Sequence, residues 1–306
     1  MRFIPLLPAA LALVLTSACS QAQSDEKGLG AADAPATKGK KKNKGSKNKE
    51  SLEDRMIDAA VPGLSRVGDV GGVPESSGLV AGPQPGTYYS FGDNGNSATL
   101  YLINGLGKVS SEITINAKNR DWESMTRDPQ GTYFIGDCGN NNSDRRDLRI
   151  LRVNPANPQQ VGSIAFTYPD QTEFPPSKKE RNFDCEATLW HDGKIWLFTK
   201  DQHERTSNVY TVPDQPGTHT AQRVTSLAVA GQVTDATLSP SGRRLVLLAR
   251  GALFVLDGNT WADILKATPR QVELTGAGQT EGAAFKDENT LLISTEQGAL
   301  YEYSLQ

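Results

Sequence analysis

Short apolar, β-branched runs separated by turn residues recur from about residue 62 to the end of the chain. Five segments open alike: Glu75-Ser-Ser-Gly-Leu-Val, Glu123-Ser-Met-Thr-Arg-Asp, Glu186-Ala-Thr-Leu-Trp-His, Asp235-Ala-Thr-Leu-Ser-Pro and Glu281-Gly-Ala-Ala-Phe-Lys. Each is an acid, then small residues, then a brief strand-like run. The acids lie 48, 63, 49 and 46 residues apart. A period in the forties points to a β-propeller, with one four-stranded sheet per repeat.

The rest of each unit follows one plan. A turn rich in Gly, Asp or Pro comes next, as in Asp128-Pro-Gln-Gly131, His191-Asp-Gly193 and Ser239-Pro-Ser-Gly242. Second strands are then predicted at Thr87–Phe91, Thr132–Ile135, Lys194–Thr199, Arg244–Ala249 and Thr290–Thr295. Third strands follow at Thr99–Ile103, Leu148–Val153, Asn208–Val212, Ala252–Leu256 and Ala299–Tyr303. Fourth strands are visible at Val109–Ile115, Ser163–Tyr168 and Gln222–Ala228. Short strands between turn residues signal an all-β sandwich or barrel, and the repetition selects a propeller. The last unit runs out of chain after its third strand. Leu64–Val70 is expected to supply the missing one, closing the ring and covering an exposed sheet edge. Five blades are therefore expected. A sixth would have to occupy the 63-residue interval, but its extra residues, Pro169–Arg181, are rich in Pro and charge and read as one long loop.

The start of the chain has a different character. Arg2 precedes an apolar run from Phe3 to Val14, and Leu15-Thr16-Ser17-Ala18-Cys19 follows. Small residues before a Cys, directly after an apolar segment, form a lipobox. Residues 1–18 read as a signal peptide, with Cys19 as the lipidated new N-terminus; the alternative is an ordinary cut after Ala18 that leaves Cys19 free. The apolar run is shorter than the roughly 20 residues a spanning helix needs. Residues 19–55 are Ala, Gly, Ser, Asn and Lys with little to bury, and read as a disordered tether. Lys38–Lys49 holds seven lysines, which either lie on anionic headgroups or form a solvated spacer. The propeller is assigned to residues 56–306. The expected address is outside the cytoplasm, lipid-anchored to a membrane, with Ser20 favouring the outer membrane or periplasmic face.

Charge narrows the partners. Residues 1–50 hold nine basic and four acidic residues of the chain's 32 and 35, which leaves 23 and 31 for the remainder, a net charge of −8. An acidic domain is a poor binder of phosphate backbones, so nucleic acid is not expected. A small molecule or an envelope protein is the expected partner, besides the membrane.

Candidate chemistry lies at the repeated positions. The first strand of a propeller blade lines the central channel, so Glu75, Glu123, Glu186, Asp235 and Glu281 should converge there. Gly92-Asp93-Asn94-Gly95-Asn96 and Gly136-Asp137-Cys138-Gly139-Asn140 repeat a second pattern, and its later equivalents are Lys200, Arg250 and Glu296. One channel mouth would then carry carboxylates on one side and Lys200 and Arg250 on the other. Carboxylates brought together raise one another's pKa unless something compensates. A Ca²⁺ ion is one compensator, with Asp93, Asp137, Glu123 and Glu186 as its candidate ligands. The alternatives are Asx-turns at Asp and Asn, acids that stitch blade to blade through backbone N–H groups, and neutralisation by Lys200 and Arg250 alone. His191, His203 and His219 have no zinc-site spacing. Trp122 and Trp190, beside two of the acids, are expected to pack between blades. Cys138 and Cys185 flank motifs in successive blades, and in an oxidising compartment an even thiol count favours a disulfide between them over two buried thiols. The chain has no G-x-S-x-G elbow, phosphate loop, H-E-x-x-H or C-x-x-C motif.

Glu75-Ser-Ser-Gly-Leu79 resembles the E-x-S-G-L opening of secreted bacterial propellers of the SdiA-regulated and esterase-like phytase groups. Gly92-Asp-Asn-Gly-Asn-Ser-Ala-Thr-Leu-Tyr-Leu-Ile103, Asn119-Arg-Asp-Trp-Glu123 and Phe183-Asp-Cys-Glu-Ala187 look like largely uncharacterised relatives of these. The resemblance covers roughly residues 62–306. It implies the fold, and it implies only that Glu75, Glu123 and Glu186 line the channel. Those groups usually have six blades, so no catalytic role is carried over. Two functions stay open: a cell-envelope module that binds a small ligand or protein at its channel mouth, and a Ca²⁺-dependent hydrolase of the lactonase or phosphoesterase kind. In the hydrolase, the metal would polarise an oxygen and a free carboxylate would act as general base.

Overall fold

A computed structural model describes residues 61–201 and 206–305. The expected signal peptide, the expected lipidation site at Cys19 and the stretch read as a tether, 19–55, lie outside the described residues.

The second strands explain the fold. Arg244-Leu-Val-Leu-Leu-Ala249 is apolar at every position after the first, which a strand needs when both sheet faces are covered. Its side chains alternate between two cores. Leu245, Leu247 and Ala249 enter one apolar cluster with residues of the preceding sheet, and Val246 and Leu248 enter another with residues of the following sheet. The same division recurs at every blade boundary, so each pair of neighbouring sheets encloses its own core. Trp122 is fully buried in one of these cores, edge-on to Phe91 of the previous blade at 5.9 Å between ring centroids. Trp190 donates its backbone N–H to Thr126 Oγ1 of the previous blade.

The protein is a five-bladed β-propeller of antiparallel four-stranded sheets. Blade one comprises Ser76–Ala81, Thr87–Gly92, Thr99–Asn104 and Val109–Thr114. Blade two comprises Trp122–Arg127, Tyr133–Asp137, Arg149–Val153 and Val161–Thr167. Blade three comprises Cys185–His191, Lys194–Thr199, Ser207–Pro213 and Gln222–Leu227. Blade four comprises Val233–Leu238, Arg244–Ala249, Ala252–Asp257 and Arg270–Glu273, with a one-turn helix, Trp261–Ile264, before its last strand. Blade five comprises Thr280–Phe285, Thr290–Thr295, Ala299–Ser304 and, as its outer strand, Leu64–Asp69. The first strands of successive blades contact one another around the whole circle, five back to one.

The N-terminal strand closes the ring as expected: Leu64 pairs with Tyr303 and Asp69 with Ala299. The segment expected to be one long loop, 169–181, holds only a 3-10 turn at Lys178–Glu180, so no sixth blade forms there. One strand was not foreseen. Gly217–Thr220 runs parallel to Val161–Thr167 and covers the outer edge of blade two; sheet edges invite unwanted pairing when left open.

Each first strand carries a register break near its start. The breaks fall between Ser76 and Leu79, Trp122 and Ser124, Cys185 and Ala187, Val233 and Asp235, and Thr280 and Gly282. The extra residue of a β-bulge is unpaired and its side chain is re-aimed. These five bulges determine which side chains reach the channel mouth.

Candidate functional site

The residue after the last paired position at each bulge is Ser77, Glu123, Glu186, Thr234 and Glu281 in blades one to five. Two positions earlier stand Glu75, Asp121, Asp184, Gln232 and Gln279. In extended chain a two-residue step returns to the same face. The second strands add a third set. Asp93, Lys200, Arg250 and Glu296 each donate a backbone N–H to the carbonyl of Glu75, Asp184, Gln232 and Gln279 respectively, at 2.8–3.2 Å. In blade two the donor to the Asp121 carbonyl is Gly139 instead, at 3.3 Å. Cys138 is the extra residue there, and its side chain turns into the core between blades two and three.

Most members of these sets meet at one polar cavity of about 220 Å³. Glu75, Asp93, Glu123, Glu186, Lys200, Arg250 and Glu281 line it, joined by Asp121, Asn94, Asn141, Gln279 and Glu296. Two residues expected in the ring lie elsewhere, each for the same reason. Asp235 sits one position beyond the bulge and faces away from the cavity; fully buried, it accepts the backbone N–H of Ala236 at 2.8 Å and of Ala283 in blade five at 2.9 Å. Asp137 pairs with Trp122, one position short of the cavity-facing set. It is fully buried and held by Arg145 at 3.2 Å and by Arg149 Nε at 2.8 Å. A one-residue slip on a strand moves a side chain to the opposite face.

The charges divide the cavity. Lys200 is buried and pairs with Glu186, and its Nζ is 3.4 Å from Asp184 Oδ2. Burial alone would lower the Lys200 pKa, but the Glu186 and Asp184 carboxylates outweigh it and raise the value. Arg250 reaches across to Glu281 at 3.6 Å with 44 % of its side chain exposed, and Glu281 also accepts a bond from Gln279 Nε2 at 2.8 Å. Glu75, left-handed at φ 46°, accepts from Asn96 Nδ2 at 2.8 Å.

The opposite side has a carboxylate excess. Ligand oxygens of Asp93, Asp121 and Glu123 all lie within 4.8 Å of one another. Arg145 Nη1 stands 3.8 Å from Asp121 Oδ2, but the same guanidinium also serves Asp137 and Asp147. Glu123 is 8 % exposed, and its carboxylate has no hydrogen-bond or ion-pair partner among the described residues. Burial first, then Glu186 and Asp184, push its pKa well above the usual carboxylate range. Burial, opposed by Arg145, carries Asp121 to about 6. Asp93 is raised by burial and by Glu75, against the Asn94 N–H. Gly139 lies directly against this group: a side chain there would run into the carboxylates of Glu123 and Asp121.

Asp121, which lines the cavity, and Asp184, which stands beside Lys200, are candidate-site residues that the acid repeat did not pick out. Their signal was present in Asp121-Trp-Glu123 and Asp184-Cys-Glu186, where acids two apart on a strand share a face. The expected Cys138–Cys185 disulfide is not formed. Both are free, fully buried thiols, and Cys138 Sγ donates to the Cys185 carbonyl at 3.3 Å.

No protein-family model matches the chain, and no curated protein matches its sequence. Among solved structures, the PQQ-bound aldose sugar dehydrogenase of Streptomyces coelicolor aligns at 10 % identity and a TM-score of 0.46, over 80 % of this chain and 99 % of that one. A protein of unknown function from Bacteroides thetaiotaomicron VPI-5482 aligns at 9 % identity and a TM-score of 0.45, over 79 % and 75 %. A chain of the mitotic checkpoint complex aligns at 11 % identity and a TM-score of 0.39; the match takes in 75 % of this chain and spans only 61 % of that chain's length. The propeller assignment rests on the strand pairing above.

Proposed function

We propose that this protein is a binding module of the cell envelope, and that the charged channel mouth is where it takes a small polar ligand. The observation that carries this reading is the convergence of charged side chains from all five blades on one open cavity, with Glu75 and Asp93 from blade one and Arg250 from blade four completing the wall. Lys200 and Arg250 on one wall and Asp93, Asp121 and Glu123 on the other suit a compact ligand that carries both acceptor and donor groups. Such a pocket selects by a few placed polar groups rather than by apolar area. The lipobox at Cys19 would hold the propeller at a membrane face, with the lysine-rich tether as its spacer. The SdiA-regulated and esterase-like phytase groups are the family reading that the Glu75-Ser-Ser-Gly-Leu79 motif supports.

A second reading has its own support. Three carboxylates at ligand distance, with Asp121 raised to about 6, are what a metal-dependent lactonase or phosphoesterase would use: a metal to polarise the ester oxygen and a carboxylate to take a proton from water.

The test is a thermal-shift screen of the purified full chain against amino acids, polyamines, sugars, carboxylic acids and phosphate esters, with and without Ca²⁺, followed by hydrolysis assays on every compound that shifts the melting temperature. Binding lost in Arg250→Gln and Glu281→Gln, without turnover, supports the module. Turnover abolished by a chelator supports the hydrolase. A ligand that binds equally well to both variants contradicts the placement of the site.

A further inference from the structure

We propose that Asp93, Asp121 and Glu123 bind one divalent cation, Ca²⁺ by the chemistry of its ligands, at the wall of the channel mouth between blades one and two. The proposal rests on the channel-mouth reading and names what that site holds.

The geometry meets the first requirement, since the three carboxylates can each place an oxygen within 4.8 Å of the others. Proximity of acids alone does not make a site. The deciding observation is Glu123. It is more than nine-tenths buried and lines the cavity, and its carboxylate has no hydrogen-bond or ion-pair partner among the described residues. A carboxylate so enclosed, with no partner from the protein, is costly unless something on the cavity side meets it. Every cation near it is already engaged: Lys200 by Glu186 and Asp184, and Arg145 by Asp121, Asp137 and Asp147. The fold instead holds Gly139 against Asp121 and Glu123, where any Cβ would fill the space beside their oxygens.

The donor chemistry points to the ion. All three side chains offer carboxylate oxygen, and no His or Cys stands with them. Oxygen-only sets suit hard cations, and Ca²⁺ accepts 6–8 oxygens in flexible geometry, whereas Mg²⁺ demands a near-ideal octahedron. Three carboxylates supply between three and six oxygens, depending on how many bind through both. The Asn94 and Asn141 side chains line the same cavity. The open side of the ion therefore faces the space where a ligand would enter. This set differs from the four acids expected from the repeat: Asp121 takes the place of Asp137, which is paired with two arginines, and Glu186 is paired with Lys200.

The experiment uses the purified full chain, stripped with EDTA, titrated calorimetrically with CaCl₂ and MgCl₂, and melted with and without saturating Ca²⁺. One Ca²⁺ per chain is expected, bound more tightly than Mg²⁺, with a rise in melting temperature. Glu123→Gln and Asp121→Asn should each weaken binding at least tenfold. Glu288→Gln, in the exposed turn of blade five that bonds Ser241, should bind as the wild type does. In EDTA, Glu123→Gln should melt at least as high as the wild type, because it removes an enclosed carboxyl group that has no counter-charge of its own. In Ca²⁺ that order should reverse. A lower melting temperature for Glu123→Gln in EDTA would overturn the proposal, as would undiminished Ca²⁺ binding by that variant, or no saturable binding of either ion. If no ion binds while the screen above still finds a ligand lost in Arg250→Gln, only the cation falls and the binding site stands.

Discussion

Lys200 and Glu186 form an ion pair in which each side chain is only 4 % exposed. The pair joins the first and second strands of blade three at the channel mouth. It also divides the ring of bulge residues chemically: Glu186 has its counter-charge within its own blade, and Glu123, one blade away, has none. The same backbone device therefore yields a closed structural pair in one blade and an unsatisfied carboxylate in the next.

Breaking that pair from one side should be expensive. Lys200→Met leaves Glu186 and Asp184 buried without their cation, and about 3–5 kcal/mol of unfolding free energy should be lost. Adding Glu186→Met should recover part of that loss. Urea denaturation of the wild type, both single variants and the double variant measures the coupling.

Asp235 should behave as a stitch between blades and not as a ligand. Asp235→Ala leaves the Ala283 N–H of blade five without its acceptor and should cost about 1–3 kcal/mol. Ligand and cation binding at the channel mouth should be unchanged, as calorimetry on the folded variant will show.

Glu281 should set part of the pH dependence. Burial holds its pKa above the ordinary 4.5, against the opposing Gln279 bond and Arg250 charge. The folded state therefore keeps this proton longer than the unfolded chain does, and stability falls as pH rises from below 4.5 through the raised folded value. Glu281→Gln removes that loss, so in EDTA its melting temperature should gain on the wild type between pH 4 and 7. Parallel melting curves for the two proteins across this range would contradict the assignment.

Cys138 and Cys185 should titrate as two free thiols in denatured, unreduced protein and react negligibly in the folded state, because both are fully buried. A titration that finds neither thiol after denaturation would restore the disulfide expected from their positions in successive blades.

The blades were legible in the chain because each sheet is covered on both faces, so second strands such as Arg244–Ala249 stand out as apolar runs at regular intervals. The closing strand, Leu64–Asp69, was legible because blade five otherwise lacks an outer strand. Single-residue placement was not. Aligning the repeats on their acids put Asp235 beside Glu123, but the bulge in blade four falls one residue earlier, at Thr234. Asp137 was matched to Asp93 through the shared Gly-Asp-x-Gly-Asn pattern, but blade two carries Cys138 as an extra residue, so Asp137 points to Arg145 and Arg149. A bulge is a property of strand pairing, and the period of two makes each such slip a change of face. The parallel strand Gly217–Thr220 was hidden for a related reason. It is four residues long, one glycine followed by three polar residues, and only its partner in blade two makes it a strand.

The most direct test of the account is sensitised Tb³⁺ luminescence. Trp122 lies between Asp121 and Glu123 in sequence, so Tb³⁺ replacing Ca²⁺ at these carboxylates should emit on indole excitation. We expect saturable emission from the full chain, displaced by Ca²⁺, strongly reduced in Trp122→Phe, and lost in Asp93→Asn combined with Asp121→Asn. Emission that is absent in the wild type, or that persists unchanged in the double variant, would contradict a cation site at the channel mouth.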